Sequence, residues 1–212
     1  MANTLNLGNG NWATKEGSTL AYNDENNNYK PLPFDFTRAS SATVVNKQGL
    51  IETVGSGEPR IDFLGNTKGA LLLEPQRMNL VTYSEDFTTW SGSGYITSNY
   101  AISPNGTQNA SRCLFTGANQ VLSRTSTLST SVSCSATFYV KGVSGETIRL
   151  AAGGADTIHL LNGSWQRIET NKTSINSTIV LNTFGGATAR DLLIWGAQLE
   201  QGSYATSYIP TS

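Results

Sequence analysis

The chain has 212 residues, only 14% of them charged, and its formal net charge is −1. A near-neutral chain without clustered Lys and Arg excludes a surface that tracks nucleic-acid phosphates. No apolar run approaches the ~20 residues of a membrane helix, so membrane insertion is not expected. Abundant Gly, Asn, Ser and Thr favour short strands and turns over helices, and the sequence predicts an all-β fold.

Residues 1–33 are polar and Asn-rich and end near Pro31 and Pro33. Such a segment cannot bury enough apolar surface to form a core of its own, so it is predicted to be an extended N-terminal arm. Its sparse apolar residues are expected to dock against the body of the chain or a neighbouring subunit. The proposed anchors are Leu5, Leu7, Trp12 and Tyr22.

Residues 34–82 are predicted to form a small β connector subdomain. Two apolar runs, at 42–45 and 50–54, flank a turn at 46–49, which indicates a β-hairpin. Two further short strands are predicted before Pro75, at 59–64 and 70–73.

Residues 83–212 show short apolar runs separated by Gly, Asn and Ser clusters at the ~8–12-residue spacing of sandwich folds. Eight strands predict a jelly-roll β-sandwich, with a C-terminal strap after the last strand. The predicted strands are 94–102, 110–115, 119–125, 131–141, 147–152, 165–171, 177–183 and 191–199.

Alternation within two of these strands predicts their buried faces. In the predicted strand 131–141, the core face consists of Cys134, Ala136, Phe138 and Val140. The solvent face of this strand consists of Ser135, Thr137, Tyr139 and Lys141. In the last strand the same rule groups Leu193, Trp195, Ala197 and Leu199 opposite Leu192, Ile194 and Gln198. Apolar residues on both faces predict that this strand is central or covered.

The two cysteines, Cys113 and Cys134, fall in predicted strands and could face each other across a sandwich. The opening residues lack the basic start and apolar stretch of a secretory leader, so the chain is expected to stay in the reducing compartment where it is made. Buried free thiols are therefore predicted.

No catalytic constellation is evident. His159 is the single histidine, and no nucleophile elbow, Cys–His spacing or metal cluster accompanies it, so no enzymatic activity, cofactor or metal is expected. Glu85 and Asp86 would point to opposite faces of an extended chain and cannot flank one glycosidic bond. A polysaccharide depolymerase with distant carboxylates, or with a site between subunits, stays an alternative.

Carbohydrate binding requires aromatic faces beside amide and hydroxyl groups in a shallow site that need not be charged. Several aromatic residues lie in Ser-, Thr- and Asn-rich stretches, whereas Trp165 and Trp195 are expected to pack in the core. The predicted carbohydrate-binding residues are Trp90, Tyr95, Tyr100 and Tyr139.

Two proline-stiffened motifs each contain a carboxylate and an arginine. One has Glu58 and Arg60, the other Glu74 and Arg77. Arg–carboxylate bonds at these positions are predicted to be structural ion pairs of the connector.

Six segments carry a resemblance to a known family. They are residues 34–43, 46–51, 58–62, 71–80, 83–87 and 195–210. They resemble the phage head-spike and tail-fibre domain family of tailed bacteriophages. Taken together these motifs are specific, whereas each alone is weak.

The resemblance implies a jelly-roll, carbohydrate-binding-module-like domain on virion fibres or spikes, assembled as a homotrimer. Host-surface glycans would be its ligand, and the arm would attach the fibre to capsid or tail proteins. The protein would be made in the host bacterial cytoplasm and end on the virion surface. A capsid decoration or trimerisation protein that binds no glycan is the alternative from a structural class.

Overall fold

The computed structural model describes residues 36–185 and 188–212, together with the backbone of four strands nearer the N-terminus; for Ala155 only the backbone is described. The chain divides into two compact units. The first comprises Met1–Gln76 and Thr206–Tyr208, and the second comprises Arg77–Ala205 and Ile209–Ser212. Within the described residues, no helix combines the length and apolar character needed to cross a membrane.

The first unit contains three small antiparallel sheets, with strand orders β1-β8-β7, β2-β3-β4 and β5-β6. The predicted hairpin is confirmed, with Val45 opposite Ile51 across its turn. The strands are β1 (Asn3–Leu5), β2 (Trp12–Thr14), β3 (Leu20–Asn23), β4 (Tyr29–Pro31), β5 (Ala42–Val45), β6 (Ile51–Val54), β7 (Ile61–Asp62) and β8 (Ala70–Leu73).

A buried ion pair crosses this unit between the two proline-stiffened motifs. Arg60 Nη1 lies 2.5 Å from Glu74 Oε2, and both groups also bond Ser207 Oγ, at 2.9 and 2.7 Å. The pair joins the motifs to each other and does not lie within either one. In the described part of the chain, Glu58 instead accepts the backbone N–H of Gly55 at 2.6 Å. In the second unit, Arg77 donates to the Gln201 carbonyl.

The second unit is a sandwich of two five-stranded antiparallel sheets, with orders β10-β11-β18-β13-β16 and β15-β14-β17-β12-β9. The predicted all-β jelly-roll sandwich is confirmed. Its strands are β9 (Ser91–Gly92), β10 (Tyr95–Ala101), β11 (Ala110–Phe115), β12 (Val121–Thr125), β13 (Ser133–Lys141), β14 (Thr147–Ala152), β15 (Ala155–Leu160), β16 (Gln166–Thr173), β17 (Thr178–Asn182) and β18 (Arg190–Gln201).

One apolar core fills the space between these two sheets. It combines residues from both, such as Phe138 and Ile194 from one and Leu150 and Leu181 from the other. Full burial of such a side chain stabilises the fold by about 1.5–3 kcal/mol. The alternation predicted for the core face of β13 is confirmed.

The predicted facing of β18 is wrong over its first half because a β-bulge interrupts the strand. Trp195 pairs with Tyr139 and Gln198 pairs with Thr137, so two residues of β18 lie opposite Phe138. Gly196 adopts φ 61°, a left-handed conformation that favours glycine. The bulge reverses the alternation, so the core residues are Leu192, Ile194, Ala197 and Leu199. The predicted central position of the strand is confirmed.

The predicted solvent face of β13 is also wrong at one end, where Ser135 and Thr137 are buried. The segment that follows β18 lies over neighbouring strands at this end. The backbone N–H of Ala205 donates to Glu169 on β16, and that of Ile209 donates to Gln198 on β18. The strap therefore covers this end of the sheet.

Strand β15 was not predicted. It pairs with β14 through a two-residue turn, in which Gly153 and Gly154 have φ values of 58° and 94°. A Gly-Gly pair between two short apolar runs is a strong hairpin signal, and it identifies β15 once it is recognised.

The prediction of buried free thiols is confirmed. Cys113 pairs with Leu192 near the start of β18, whereas Cys134 pairs with Gln201 at the end of that strand. Burial raises the pKa of the Cys113 thiol to about 12, so this group is not a nucleophile at neutral pH.

Candidate functional site: the outer face of one sheet

The outer face is defined as the side of the β10-β11-β18-β13-β16 sheet that points away from the core. Because Cys113, Phe138 and Ile168 lie in the core, their neighbours in sequence point outward. The cross-strand register then places these neighbours in rows. The outward residues are Tyr95, Thr97, Arg112, Leu114, Asp191, Leu193, Trp195, Tyr139, Lys141 and Arg167.

A bulge in β10 brings Tyr100 to this face. The register with β11 shifts between Thr97 and Ala101, and Asn99 takes φ 52° there. Asn tolerates this left-handed conformation better than most residues. The Tyr100 ring then lies under the Arg112 guanidinium, 5.5 Å from its carbon, and is 53% exposed.

Arg112 and Asp191 form a bidentate ion pair beside the two exposed tyrosines. Arg112 Nε and Nη2 each lie 2.7 Å from an Asp191 oxygen. This hydrogen bonding lowers the pKa of the Asp191 carboxyl. A guanidinium has five N–H donors, so Arg112 keeps donors for a further partner. Planar two-point bonding also fixes the orientation of both groups.

Further along the face, Tyr139 lies between Trp195 and Arg167. Its ring centroid is 5.4 Å from that of Trp195 and 5.6 Å from the Arg167 guanidinium carbon. Trp195 is fully buried, so Tyr139, which is half-buried, is the ring of this pair that a ligand can reach.

Trp165, immediately before β16, spans the face to the opposite edge strand. Its Nε1–H donates to the carbonyl of Ile102, just after β10, at 3.2 Å. In a flat sheet, strands with three others between them lie about 19 Å apart. The contact therefore requires the sheet and the chain after β10 to curve over the outer face. Trp165 is half-buried, not part of the core cluster.

The four predicted carbohydrate-binding residues lie in different environments. Tyr95 and Tyr100 are exposed on the outer face, and Tyr139 is half-buried there. Trp90 packs in the core against Phe87 and Phe138, with ring centroids 5.2 and 5.5 Å away, and is 8% exposed. That placement leaves little of the Trp90 ring for a ligand.

The predicted attachment anchors in the N-terminal arm lie outside the described side chains. The backbones of Leu5, Trp12 and Tyr22 are in β1, β2 and β3, and Leu7 is outside the described residues. Their proposed role stays a prediction.

A second aromatic surface lies at the start of the second unit. Tyr83, at φ 58°, is 42% exposed and stacks on Arg124 at 5.0 Å. It borders an open groove of about 500 Å³ with Glu85, Asp86 and Thr211. Asp86 already accepts hydrogen bonds from the backbone and hydroxyl of Thr88.

Within the described part of the chain, no group of three or more His, Cys, Asp or Glu could hold a metal ion. His159 lies on β15 with Nε2 3.4 Å from Thr170 Oγ1, and burial lowers the pKa of its imidazole.

Sequence reasoning missed Arg112, Asp191 and Arg167 as members of the face. Alternation in the predicted strand 110–115 places Arg112 on the face opposite Cys113 and Phe115, and this signal could have found it. The partner of Arg112 is 79 residues away, and no local pattern connects the two positions.

No protein-family model matches the chain, and no curated protein matches it. Several solved structures are similar. The carbohydrate-binding module TmCBM61, solved in complex with β-1,4-galactotriose, is 16% identical with a TM-score of 0.42, over 59% of this chain and 99% of that one. The CBM22-1 xylan-binding domain of Paenibacillus barcinonensis Xyn10C is 15% identical with a TM-score of 0.41, over 62% and 99%.

The enzymatically active domain of bacteriophage CBA120 tailspike protein 4 is 10% identical with a TM-score of 0.40. That match covers 57% of this chain and 21% of the tailspike chain. Likenesses at this level do not identify a family or a ligand for this protein.

Proposed function

We propose that this protein binds carbohydrate on the outer face. The observation that carries the proposal is the exposure of Tyr95 and Tyr100 on one sheet, next to the bidentate Arg112–Asp191 pair. Aromatic rings offer a flat apolar surface to the C–H side of a sugar, and oriented donors and acceptors bond its hydroxyls.

Each group has a distinct role in this proposal. The Tyr100 ring, stacked against Arg112, forms a platform whose orientation is set by the adjoining ion pair. Tyr95 lies one row further along, near Leu114 and Asp191. Remaining donors of Arg112 and lone pairs of Asp191 would bond sugar hydroxyls. Because the platform is pre-ordered, binding loses little side-chain entropy.

A glycan array with the purified protein tests this proposal. Wild type should bind a subset of glycans, Tyr100→Ala should lose that binding, and Phe184→Ala should keep it. Phe184 is a matched control because it is an exposed aromatic residue, 43% accessible, that follows a strand of the other sheet. Binding that is lost in Tyr83→Ala but kept in Tyr100→Ala would move the site to the Tyr83 groove. No bound glycan at all would contradict the proposal.

We also propose that the protein is a virion fibre or spike protein, attached through residues 1–33 and assembled as a homotrimer on the virion surface. Its support is the sequence resemblance to the phage head-spike and tail-fibre domain family. Three linked sites would strengthen weak glycan binding, because later contacts become intramolecular.

Deletion of residues 1–33 tests the attachment role. The truncated protein should keep its sandwich fold by circular dichroism and fail to join phage particles. Normal occupancy of the truncated protein on virions would contradict attachment through the arm. Tight particle association without any glycan binding would favour the decoration or trimerisation protein. New reducing ends after incubation with host capsular polysaccharide would favour the depolymerase.

A further inference from the structure

Two cations lie beside Tyr139 on the outer face. Arg167 is the cross-strand partner of Tyr139 on β16, and its guanidinium lies over the Tyr139 ring. Lys141 is two residues beyond Tyr139 on β13 and is exposed. Diagonal neighbours of this kind have Cα atoms about 7–8 Å apart, so one ligand group can reach both.

Neither cation has an anionic partner in the part of the chain that the structure describes. Among the described residues, Arg60, Arg112 and Arg149 each form an ion pair within 3.0 Å, and Lys141 and Arg167 form none. Arg167 donates from Nη2 to Thr137 Oγ1 at 3.0 Å, while its Nε is buried without an acceptor.

Two carboxylates lie on the same face. Asp191, on β18, is neutralised by Arg112. Glu169, two residues beyond Arg167, keeps its charge and accepts the backbone N–H of Ala205 at 3.0 Å, where the strap crosses the sheet. Among the described residues, neither carboxylate lies within ion-pair distance of Lys141 or Arg167.

Aromatic groups accompany the cations. Continuing the register of β13 and β16 by one step places Trp165 opposite Lys141, as Arg167 is opposite Tyr139. Trp165 and Tyr139 are both half-buried. This end of the face thus pairs each cation with a ring, whereas the Tyr95 and Tyr100 end has a cation neutralised by Asp191.

We infer that the glycan bound on this face is acidic, with a carboxylate or sulfate group held between Lys141 and Arg167. The inference rests on the proposed function and specifies its ligand class. Charge-assisted hydrogen bonds are roughly twice as strong as neutral ones. An anionic group here would also give the buried Nε side of Arg167 a compensating charge, which a neutral hydroxyl would not.

Pairs of polymers that share a sugar backbone and differ in charge test the inference. The full chain would be titrated with polygalacturonate and with its methyl ester, and separately with dextran sulfate and with dextran. We expect each acidic polymer to bind about tenfold more tightly than its neutral counterpart, equivalent to one charge-assisted contact. Comparing the two pairs shows whether the carboxylate or the sulfate is the preferred anion.

Substitutions at single residues show which side chains cause the preference for the acidic polymer. Lys141→Gln and Arg167→Gln should each reduce the ratio of the acidic-polymer affinity to the neutral-polymer affinity severalfold. Lys172→Gln, an exposed lysine on the same strand as Arg167, removes the same charge and should have no effect. Lys141→Gln is the decisive variant if Arg167→Gln lowers the melting temperature, since Lys141 is exposed and makes no ion pair in the described chain.

Equal affinity for the acidic and neutral members of both pairs would overturn the inference. An equal loss in Lys172→Gln would do so too, because it would show a non-specific charge effect. If a neutral glycan binds and Tyr100→Ala abolishes that binding, the proposed function stands while the acidic ligand is wrong. If no glycan of either kind binds, both proposals fail.

Discussion

The two sheets of the sandwich share one core but have chemically different outer faces. The β10-β11-β18-β13-β16 sheet presents Tyr95, Tyr100 and the Arg112–Asp191 pair. On the other sheet, Ile158 and Leu160 of β15 are 55% and 65% exposed, beside the Arg149–Asp156 ion pair and the exposed Phe184. Branched aliphatic side chains have no flat face for a sugar ring and no hydrogen-bond donors for its hydroxyls.

The difference shows what strand alternation does and does not decide. In both sheets, every second residue of a strand points into the core. Phe138 and Ile168 of one sheet are buried in this way, as are Ile148 and Leu150 of the other. The outward residues are free of that packing constraint, so their chemistry is where a function can be encoded. We therefore locate binding on the face where two exposed rings, Tyr95 and Tyr100, lie beside a bidentate ion pair.

The largest expected effect is a loss of stability, which distinguishes a core residue from a residue of either sheet's outer surface. Trp90→Ala should lower the free energy of unfolding by about 3–5 kcal/mol, because it removes a ring packed between Phe87 and Phe138. Its indole N–H also bonds the Tyr83 carbonyl at 3.2 Å. Urea denaturation would measure the loss, with Trp90→Phe as a smaller change at the same site. A loss below about 1 kcal/mol would show that Trp90 is not a core residue.

On the outer face, we expect a substitution to weaken glycan binding and to leave the stability of the protein unchanged. Tyr95→Ala should weaken glycan binding by about 1–3 kcal/mol if the ring stacks on sugar. The free energy of unfolding should change by no more than about 0.5 kcal/mol, as is usual for exposed positions. Calorimetric titration and thermal melting of the same samples would separate the two quantities. A stability loss with unchanged affinity would assign Tyr95 to packing.

The reactivity of Cys113 tests how tightly the core side of the β10-β11-β18-β13-β16 sheet is packed. Burial raises the pKa of this thiol to about 12, so it should not react with an aromatic disulfide reagent in the native protein at pH 8. Both cysteines should react once the protein is denatured. Rapid reaction of Cys113 in the native state would mean that this sheet opens far more readily than its packing implies.

The smallest expected effect concerns His159 on β15 of the other sheet. Burial lowers the pKa of this imidazole, so the unfolded chain binds a proton more readily than the native state does. Stability should therefore fall as the pH drops from the usual histidine range of about 6.5 toward the lower native pKa. His159→Gln should remove that part of the pH dependence in denaturation curves measured between pH 7 and 5. An identical pH dependence in both proteins would show that His159 is not responsible.

Local sequence patterns predicted much of the sandwich. The bounds of β11 and β14 agree with the predicted 110–115 and 147–152, because clear apolar runs end at turn residues on both sides. The facing of β18 could not be predicted, since a single residue, Gly196, reverses the alternation. In the same way, the bulge at Asn99 brings the Tyr100 ring against Arg112, and nothing in the local pattern marks this bulge.

The candidate site was predictable only in part. Tyr95, Tyr100 and Tyr139 were identified from their polar surroundings, and they share the outer face. Trp90 has similar neighbours in sequence, yet a short 3-10 turn (Phe87–Thr89) directs its ring into the core. Arg112 and Asp191 meet only because β11 pairs with β18, which is a property of the topology and not of either segment.

The most direct test of the central claim is a map of backbone amide shifts by nuclear magnetic resonance. The protein would be titrated with the strongest glycan from the array. We predict that the shifted amides cluster on β10, β11 and the adjoining half of β18, around Tyr95, Tyr100 and Arg112. Shifts confined to β14 and β15, or to the Tyr83 groove, would contradict a glycan site on the outer face.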